Sequence, residues 1–211
     1  MKYPAYLKLA GTSAEITTKA KPKAVVVSSA HLKDSLARVS INDAEDIDII
    51  HDFYGFPLHY YEHKYPNKGS PEVTQKLSEA VFRLRKSTEA WIMLFSALEG
   101  LRDEGILIIG AGMTAYNLRD FRVLGGSGKT VPYISGFDEA LKDAASAKPE
   151  DRRAAMSALM RLSDVRQVHP TLEYILPIYV VAGAAGSDVG ECLWTTPEGS
   201  LNRAQYRFCM L

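Results

Sequence analysis

The chain has 211 residues, of which 46% are hydrophobic, and its 25 basic side chains balance its 25 acidic ones. This size and composition favour one soluble globular domain, expected to span residues 1–211. A chain without net charge has no overall field to hold nucleic acid or an anionic membrane, so neither is an expected partner. Two cysteines, no apolar leader and no apolar run of about 20 residues predict a cytoplasmic protein that does not cross a membrane.

The first part of the chain alternates between predicted helices and strands. A helix is expected over residues 5–20, and a buried, parallel strand over residues 23–29, because β-branched residues follow a proline there. A short strand is expected over residues 38–41. An aromatic loop over residues 51–57 comes next, and a helix begins at Pro71 and runs to about residue 86.

The second part contains the strongest strand pattern, Gly105-Ile-Leu-Ile-Ile109. Residues 113–134 are expected to be irregular. Further helices are expected over residues 136–146, 149–162 and 170–184, and a last short strand over residues 205–208. The order of elements predicts an α/β fold, with a central, mostly parallel sheet flanked by helices.

Three of the five histidines, His31, His51 and His169, are predicted in loops or at strand ends. Open α/β sheets place their ligand sites at the carboxyl ends of strands. Two or three histidines that converge there could hold a metal ion. Unrelated surface or capping histidines are the alternative, and spacing alone does not decide between them.

Three short motifs resemble known binding sites only in part. His59-Tyr-Tyr-Glu62-His63 matches H-x-x-E-H, but the flanking prolines leave barely two helical turns, so we interpret it as an aromatic surface turn. The segment 110–115 fits a dinucleotide fingerprint but lacks the expected helix and acidic strand end. The segment 125–130 lacks the first glycine of a phosphate-binding loop.

Six segments, taken in order, together carry the pattern of one enzyme family: 23–31, 51–57, 65–71, 101–110, 116–120 and 169–177. The most specific are HDFYGFP at residues 51–57 and HPT at residues 169–171. On these segments the chain resembles the class III extradiol ring-cleavage dioxygenases of the 4,5-DOPA dioxygenase type. The resemblance implies an α/β enzyme that opens catechol-type rings with O₂, possesses non-haem Fe(II) or zinc, and takes a small phenolic or catecholic substrate.

Carried over residue by residue, the resemblance implies an altered site. The metal-ligand positions are His51 and Tyr174, and Tyr174 stands where the family has a histidine. The family's first metal histidine, in an H-G-x-P motif, has no counterpart in this sequence. Tyr116 stands at the position of the acid/base histidine and is assigned, with His169, to the catalytic positions. The substrate pocket is assigned to His31, Phe53 and Tyr54.

These substitutions leave three functions open. A single imidazole cannot hold iron in a defined geometry, and a tyrosine is a poor base at neutral pH. The chain is therefore a dioxygenase with an altered site, an idle relative that binds a small aromatic or a partner, or an enzyme whose reaction needs no metal. The apolar run 90–98 predicts a homo-oligomer if it is exposed.

Overall fold

The computed structural model describes residues 18–31, 40–49, 51, 54–62, 64, 67–84, 98–124 and 129–209. The strands in these ranges are β1 (Ala24–Ser29), β2 (Ile106–Ala111), β3 (Ala115–Tyr116), β4 (Glu191–Glu198) and β5 (Leu201–Arg207). The α-helices are α1 (Pro71–Leu84), α2 (Glu99–Asp103), α3 (Leu118–Val123), α4 (Pro132–Ala145), α5 (Pro149–Leu159), α6 (Val165–Val168) and α7 (Leu176–Gly183). A short 3-10 helix covers Leu58–Tyr60.

The strands form two sheets. Strand β1 pairs in parallel with β2, with Val26 opposite Ile108. The other three strands form an antiparallel sheet in the order β3-β5-β4. The predicted α/β class is confirmed, and the parallel pair is the part of the sheet that the two β-branched runs predicted. The antiparallel sheet was not predicted beyond its last few residues.

The predicted boundaries agree with the structure where the pattern is regular and differ where it is not. Both parallel strands, and the helices that begin at Pro71 and Pro149, lie where they were expected. The expectation of irregular structure over residues 113–134 was wrong, because β3, α3 and the start of α4 lie there. The helix expected from Pro170 begins only at Leu176. Residues 40 and 41 are not in a strand, and residues 5–17 lie outside the described ranges.

The main core lies between α4, α5 and α7 and the inner side of β5. Ile134, Phe137 and Leu141 of α4 are almost completely buried there. Their spacing of three and four residues places them on one side of the helix, which is the usual pattern of a helix that covers a core. This core fixes α7, and therefore the chain that leads into it.

A smaller core covers one face of the parallel pair. Ile106 and Ile108 of β2 are buried in it, and Ala24 and Val26 of β1 pack against it. The alternate β1 residues Val25 and Val27 are 49% and 52% exposed. Strand β1 was expected to be a buried strand; instead it alternates between a packed and an exposed face, with the period of two that a strand imposes.

Two arginines fix the chain between α7 and β4. The buried Arg152 guanidinium donates to the carbonyl of Gly186 at 2.5 Å and to that of Asp188. Arg102 donates to the carbonyl of Ala184 at 2.8 Å and to the carboxylate of Asp188. Cations at the carboxyl end of a helix satisfy its last carbonyls and complement its dipole. In the described ranges, no helix is long and apolar enough to cross a membrane.

Candidate functional site

The candidate site lies at the carboxyl ends of the parallel strands. Strand β1 continues directly into Ala30 and His31, and the Ala30 amide donates to the Ala111 carbonyl at the end of β2, at 3.0 Å. The His31 amide donates to the hydroxyl of Ser29 at 3.2 Å. The exposed His31 ring therefore stands at the edge where the two strands end, which is where open α/β sheets place their sites.

Two glycines bring the chain before α7 against the end of β2. A Cβ atom on Gly112 would overlap the carbonyl oxygen of Tyr174, and one on Gly110 would lie 2.6 Å from the carbonyl oxygen of Pro177. The Met113 amide donates to the Tyr174 carbonyl at 3.0 Å. The G-x-G pattern thus serves a close approach between two stretches of protein backbone. This contact places Tyr174 at the end of the parallel pair.

An aromatic cluster of His31, Tyr116 and Tyr174 results. The rings of Tyr116 and Tyr174 are stacked, with their centroids 3.7 Å apart and their planes 20° apart. The His31 ring meets Tyr174 edge-on, at a centroid distance of 5.5 Å and an angle of 86°. Both tyrosines are half-buried. The structure therefore brings together three of the residues that the sequence assigned to the catalytic, metal and substrate positions.

His169 lies behind this cluster and has no exposed surface. Its Nε2 lies 3.0 Å from the carbonyl oxygen of Thr114, so Nε2 carries the proton and donates it. The ring meets Phe137 edge-on at 5.5 Å. Burial lowers the pKa of His169 to about 4, against the smaller opposing effects of the Thr114 carbonyl and of Glu173, so the ring is neutral at pH 7.

Asn117 is a residue of this region that the motif search missed. Its side-chain oxygen accepts a hydrogen bond from the amide of Asp120 at 3.0 Å and so caps α3. Its side-chain nitrogen donates to the carbonyl of Gln167 at 2.7 Å. An asparagine three residues before an acidic residue, ahead of an apolar stretch, is a helix-start signal, and that spacing could have placed α3.

A second buried polar group joins α4 to the antiparallel sheet. The carboxylate of Asp138 accepts hydrogen bonds from the Asn202 amide at 2.6 Å and from the Thr195 hydroxyl at 3.0 Å. Asp138 and Asn202 are both buried. Since these two donors come from the sheet, the group stabilises the packing of the helix on the sheet.

The comparisons with known proteins agree with the resemblance described above. No protein-family model matches the chain. A protein of Beta vulgaris named 4,5-DOPA dioxygenase extradiol is 26% identical, with 80% of this chain and 75% of the relative covered. One of the same name from Escherichia coli K12 is 28% identical, with 79% and 74% covered. The chain is similar in sequence to these proteins named 4,5-DOPA dioxygenase extradiol.

A further relative is named dioxygenase tasH, from Hapsidospora irregularis; it is 26% identical, with 84% of this chain and 68% of the relative covered. Among solved structures, the crystal structure of an uncharacterized protein from Escherichia coli K12 matches with a TM-score of 0.65 and 19% identity. The match covers 92% of this chain and 91% of that one. It supports the fold of the described residues.

The remaining site predictions are His51, Tyr54 and Phe53. The ring of the half-buried His51 lies 6.0 Å from that of Tyr61. Tyr54, assigned to the substrate pocket, is 93% exposed. Phe53 is not among the described residues. The assignment of these three residues to metal and substrate therefore stays a prediction.

The described residues do not fit the iron or zinc that the resemblance implies. Within them, no three His, Cys, Asp or Glu side chains are grouped closely enough to hold a metal ion. The Tyr174 ring is stacked on Tyr116 and contacts His31, and the Nε2 proton of His169 is committed to a carbonyl. A stable non-haem metal centre needs three or more such ligands around one point. The geometry of the described site is instead that of an aromatic surface.

Proposed function

We propose that the chain binds a small phenolic or catecholic molecule against the aromatic cluster of His31, Tyr116 and Tyr174. The observation that carries this proposal is the stacked tyrosine pair with an imidazole on its edge, at the carboxyl ends of the parallel strands. Flat aromatic rings attract another ring by stacking or edge-on contact. Small-molecule sites combine such apolar walls with a few polar groups that fix the orientation of the ligand.

The same three side chains also supply hydrogen bonds. Each tyrosine hydroxyl both donates and accepts, and a neutral imidazole accepts at one nitrogen and donates at the other. A catechol presents two adjacent hydroxyls, which suit the pairing of one phenol with one imidazole. His31 is the exposed member of the cluster and so the one that a ligand from solvent reaches first. Its role here is to accept a proton or hydrogen bond from a ligand hydroxyl.

A second candidate function is extradiol ring cleavage with O₂. It is favoured by the names of the relatives, which are 4,5-DOPA dioxygenase extradiol and dioxygenase tasH. This reaction consumes a catechol, so it shares the ligand class of the first proposal. It differs in needing a metal whose ligands the described residues do not assemble.

Calorimetry of the chelator-treated chain tests the first proposal. Catechol should bind saturably, and cyclohexane-1,2-diol, which has the hydroxyls without the ring, should bind far more weakly. Tyr174→Leu removes one wall of the cluster and should raise the Kd about two- to ten-fold, the value of one aromatic contact. Tyr60→Leu, at a position that is 51% exposed and outside the predicted site, is the matched control and should leave the Kd unchanged. Equal binding of catechol by all variants, or none by the native chain, contradicts the proposal.

Metal loading tests the second candidate. The chain is incubated anaerobically with Fe(II), desalted, and assayed for bound iron and for O₂ uptake with a catechol. Iron near one equivalent together with stoichiometric O₂ uptake would establish ring cleavage. Saturable catechol binding that persists without iron, and no O₂ uptake after loading, would leave binding as the function.

A further inference from the structure

We infer that His169 is a positioning residue, which holds Tyr116 against Tyr174 by clamping the strand that carries Tyr116 to the segment that carries Tyr174. The aromatic cluster is formed by two stretches of chain that are far apart in sequence, residues 113–117 and residues 167–174. Its geometry therefore depends on what joins those two stretches. The test of this inference by ligand binding rests on the proposed function, whereas the test by the geometry of the tyrosine rings does not.

Hydrogen bonds cross between the two stretches at both ends and in the middle. At one end the Met113 amide donates to the Tyr174 carbonyl at 3.0 Å. At the other end the Asn117 side chain donates to the Gln167 carbonyl at 2.7 Å. Between them, His169 Nε2 donates to the Thr114 carbonyl at 3.0 Å. This central bond lies two residues from Tyr116 and five residues from Tyr174.

The central bond is shielded from water on both sides. His169 is completely buried and Thr114 is 5% exposed. Water cannot replace a donor at such a site, so a chain without the His169 proton leaves the Thr114 carbonyl unsatisfied or moves the strand. Phe137 packs edge-on against the imidazole and limits its rotation. Because the His169 ring is fixed, its Nε2 donor is fixed too, and this donor holds the strand that carries Tyr116 in place.

The surroundings of His169 exclude direct contact with a ligand. Its ring has no exposed surface, and its only proton is held at Nε2 by the Thr114 carbonyl. The buried Nδ1 has no hydrogen-bond partner among the described atoms. The low pKa that burial causes keeps the ring neutral, so it neither gives nor takes a proton near neutral pH. The position assigned to catalysis from the sequence thus acts through Tyr116.

Two amide variants test whether the position of the donor nitrogen matters, beyond the packing of the side chain. Glutamine places its side-chain nitrogen near the position of Nε2, so His169→Gln keeps a donor for the Thr114 carbonyl. Asparagine is one carbon shorter and reaches only to the position of Nδ1, so His169→Asn removes the donor while keeping the same chemical group. Met156→Ala, in the main core, is the control for a loss of stability without a loss of this bond.

The structural readout is the NMR spectrum of the tyrosine rings. Stacking at 3.7 Å shifts the ring resonances of Tyr116 and Tyr174 upfield, and Tyr116→Phe and Tyr174→Phe assign them. His169→Asn should lose these shifts, while His169→Gln and Met156→Ala should keep them. Native shifts in folded His169→Asn, or their loss in His169→Gln, overturn the inference. If His169→Asn does not fold, His169→Gln alone decides, by keeping or losing the shifts.

The ligand readout is the Kd for catechol. His169→Asn should raise it about two- to ten-fold, the effect of one aromatic contact, and His169→Gln should restore it. Met156→Ala should leave it unchanged. If no variant and no native chain binds catechol, the proposed function fails, and the ring shifts still decide the role of His169. If the native chain binds and His169→Asn binds equally well, the positioning role is wrong.

Discussion

The stability of the chain should fall between pH 7 and pH 5 because of His169. In the folded chain, burial lowers the pKa of this ring from its ordinary 6.5 to about 4. The unfolded chain therefore binds a proton over a range of pH in which the folded chain does not. Stability from this group is fully present above about pH 6.5 and is lost as the pH falls through about 4, because the buried neutral ring must charge.

The size of the effect follows from the shift. Each unit of pKa difference corresponds to about 1.4 kcal/mol, so the whole shift represents about 3 kcal/mol. Integration of the two titration curves assigns about 2 kcal/mol of this to the interval between pH 7 and pH 5. That is a large part of the net stability of about 5–15 kcal/mol that is typical of a folded domain.

Urea unfolding at pH 7, 6 and 5, followed by far-UV circular dichroism, measures this effect. Compared with the native chain, His169→Gln should lose about 2 kcal/mol less of its free energy of unfolding over the same interval, since the amide does not titrate. His59→Gln, at an exposed position, is the control and should follow the native chain. Parallel pH profiles for the native chain and His169→Gln would refute the assignment of a neutral, buried ring.

Three further substitutions, with a fourth as a control for the first, test the packing that supports the site, each by the free energy of urea unfolding. Gly112→Ala should cost about 2 kcal/mol, because the new methyl group overlaps the Tyr174 carbonyl. In the control Gly136→Ala the new methyl group meets no neighbour, and the change should stabilise α4 by up to about 1 kcal/mol. Equal effects of the two substitutions on the free energy of unfolding would contradict this account. Arg152→Met should cost about 1–3 kcal/mol, since it removes the donor from two half-buried carbonyls, and an unchanged midpoint would show that they find other donors. Asp138→Asn should cost about 1–3 kcal/mol by replacing an acceptor oxygen with a donor, and a neutral result would contradict the role of this carboxylate in joining α4 to the sheet.

The parallel part of the fold could be predicted because its signal is local. The two β-branched runs form β1 and β2, and the prolines at positions 71 and 149 mark helix starts. The antiparallel hairpin was missed although a signal was present. Gly199-Ser200 joins β4 to β5 as a two-residue connection, with Gly199 at a φ of +61°, which is typical of a hairpin turn. Strand β4 is half-buried and mixes polar and apolar residues, so its sequence lacks the clear pattern that predicts a strand.

The sequence could predict that certain residues of the cluster lie together, but not how they pack. The resemblance selected His31, Tyr116 and Tyr174, and the structure places them in one cluster. Their stacking could not be predicted, because it depends on the close approach of the Gly112 turn to the chain before α7. The complete burial of His169 could not be predicted either. A histidine beside a proline is compatible with a surface loop, and here the packing of Phe137 of α4 against the ring contributes to its burial.

Titration of catechol into the chelator-treated chain, observed through the tyrosine ring resonances, tests the central proposal most directly. If a phenolic ligand binds at the aromatic cluster, the resonances of Tyr116 and Tyr174 should shift and saturate together, while that of the exposed Tyr60 stays in place. Saturable shifts that leave both cluster tyrosines unchanged, or no shifts at all, would contradict the account.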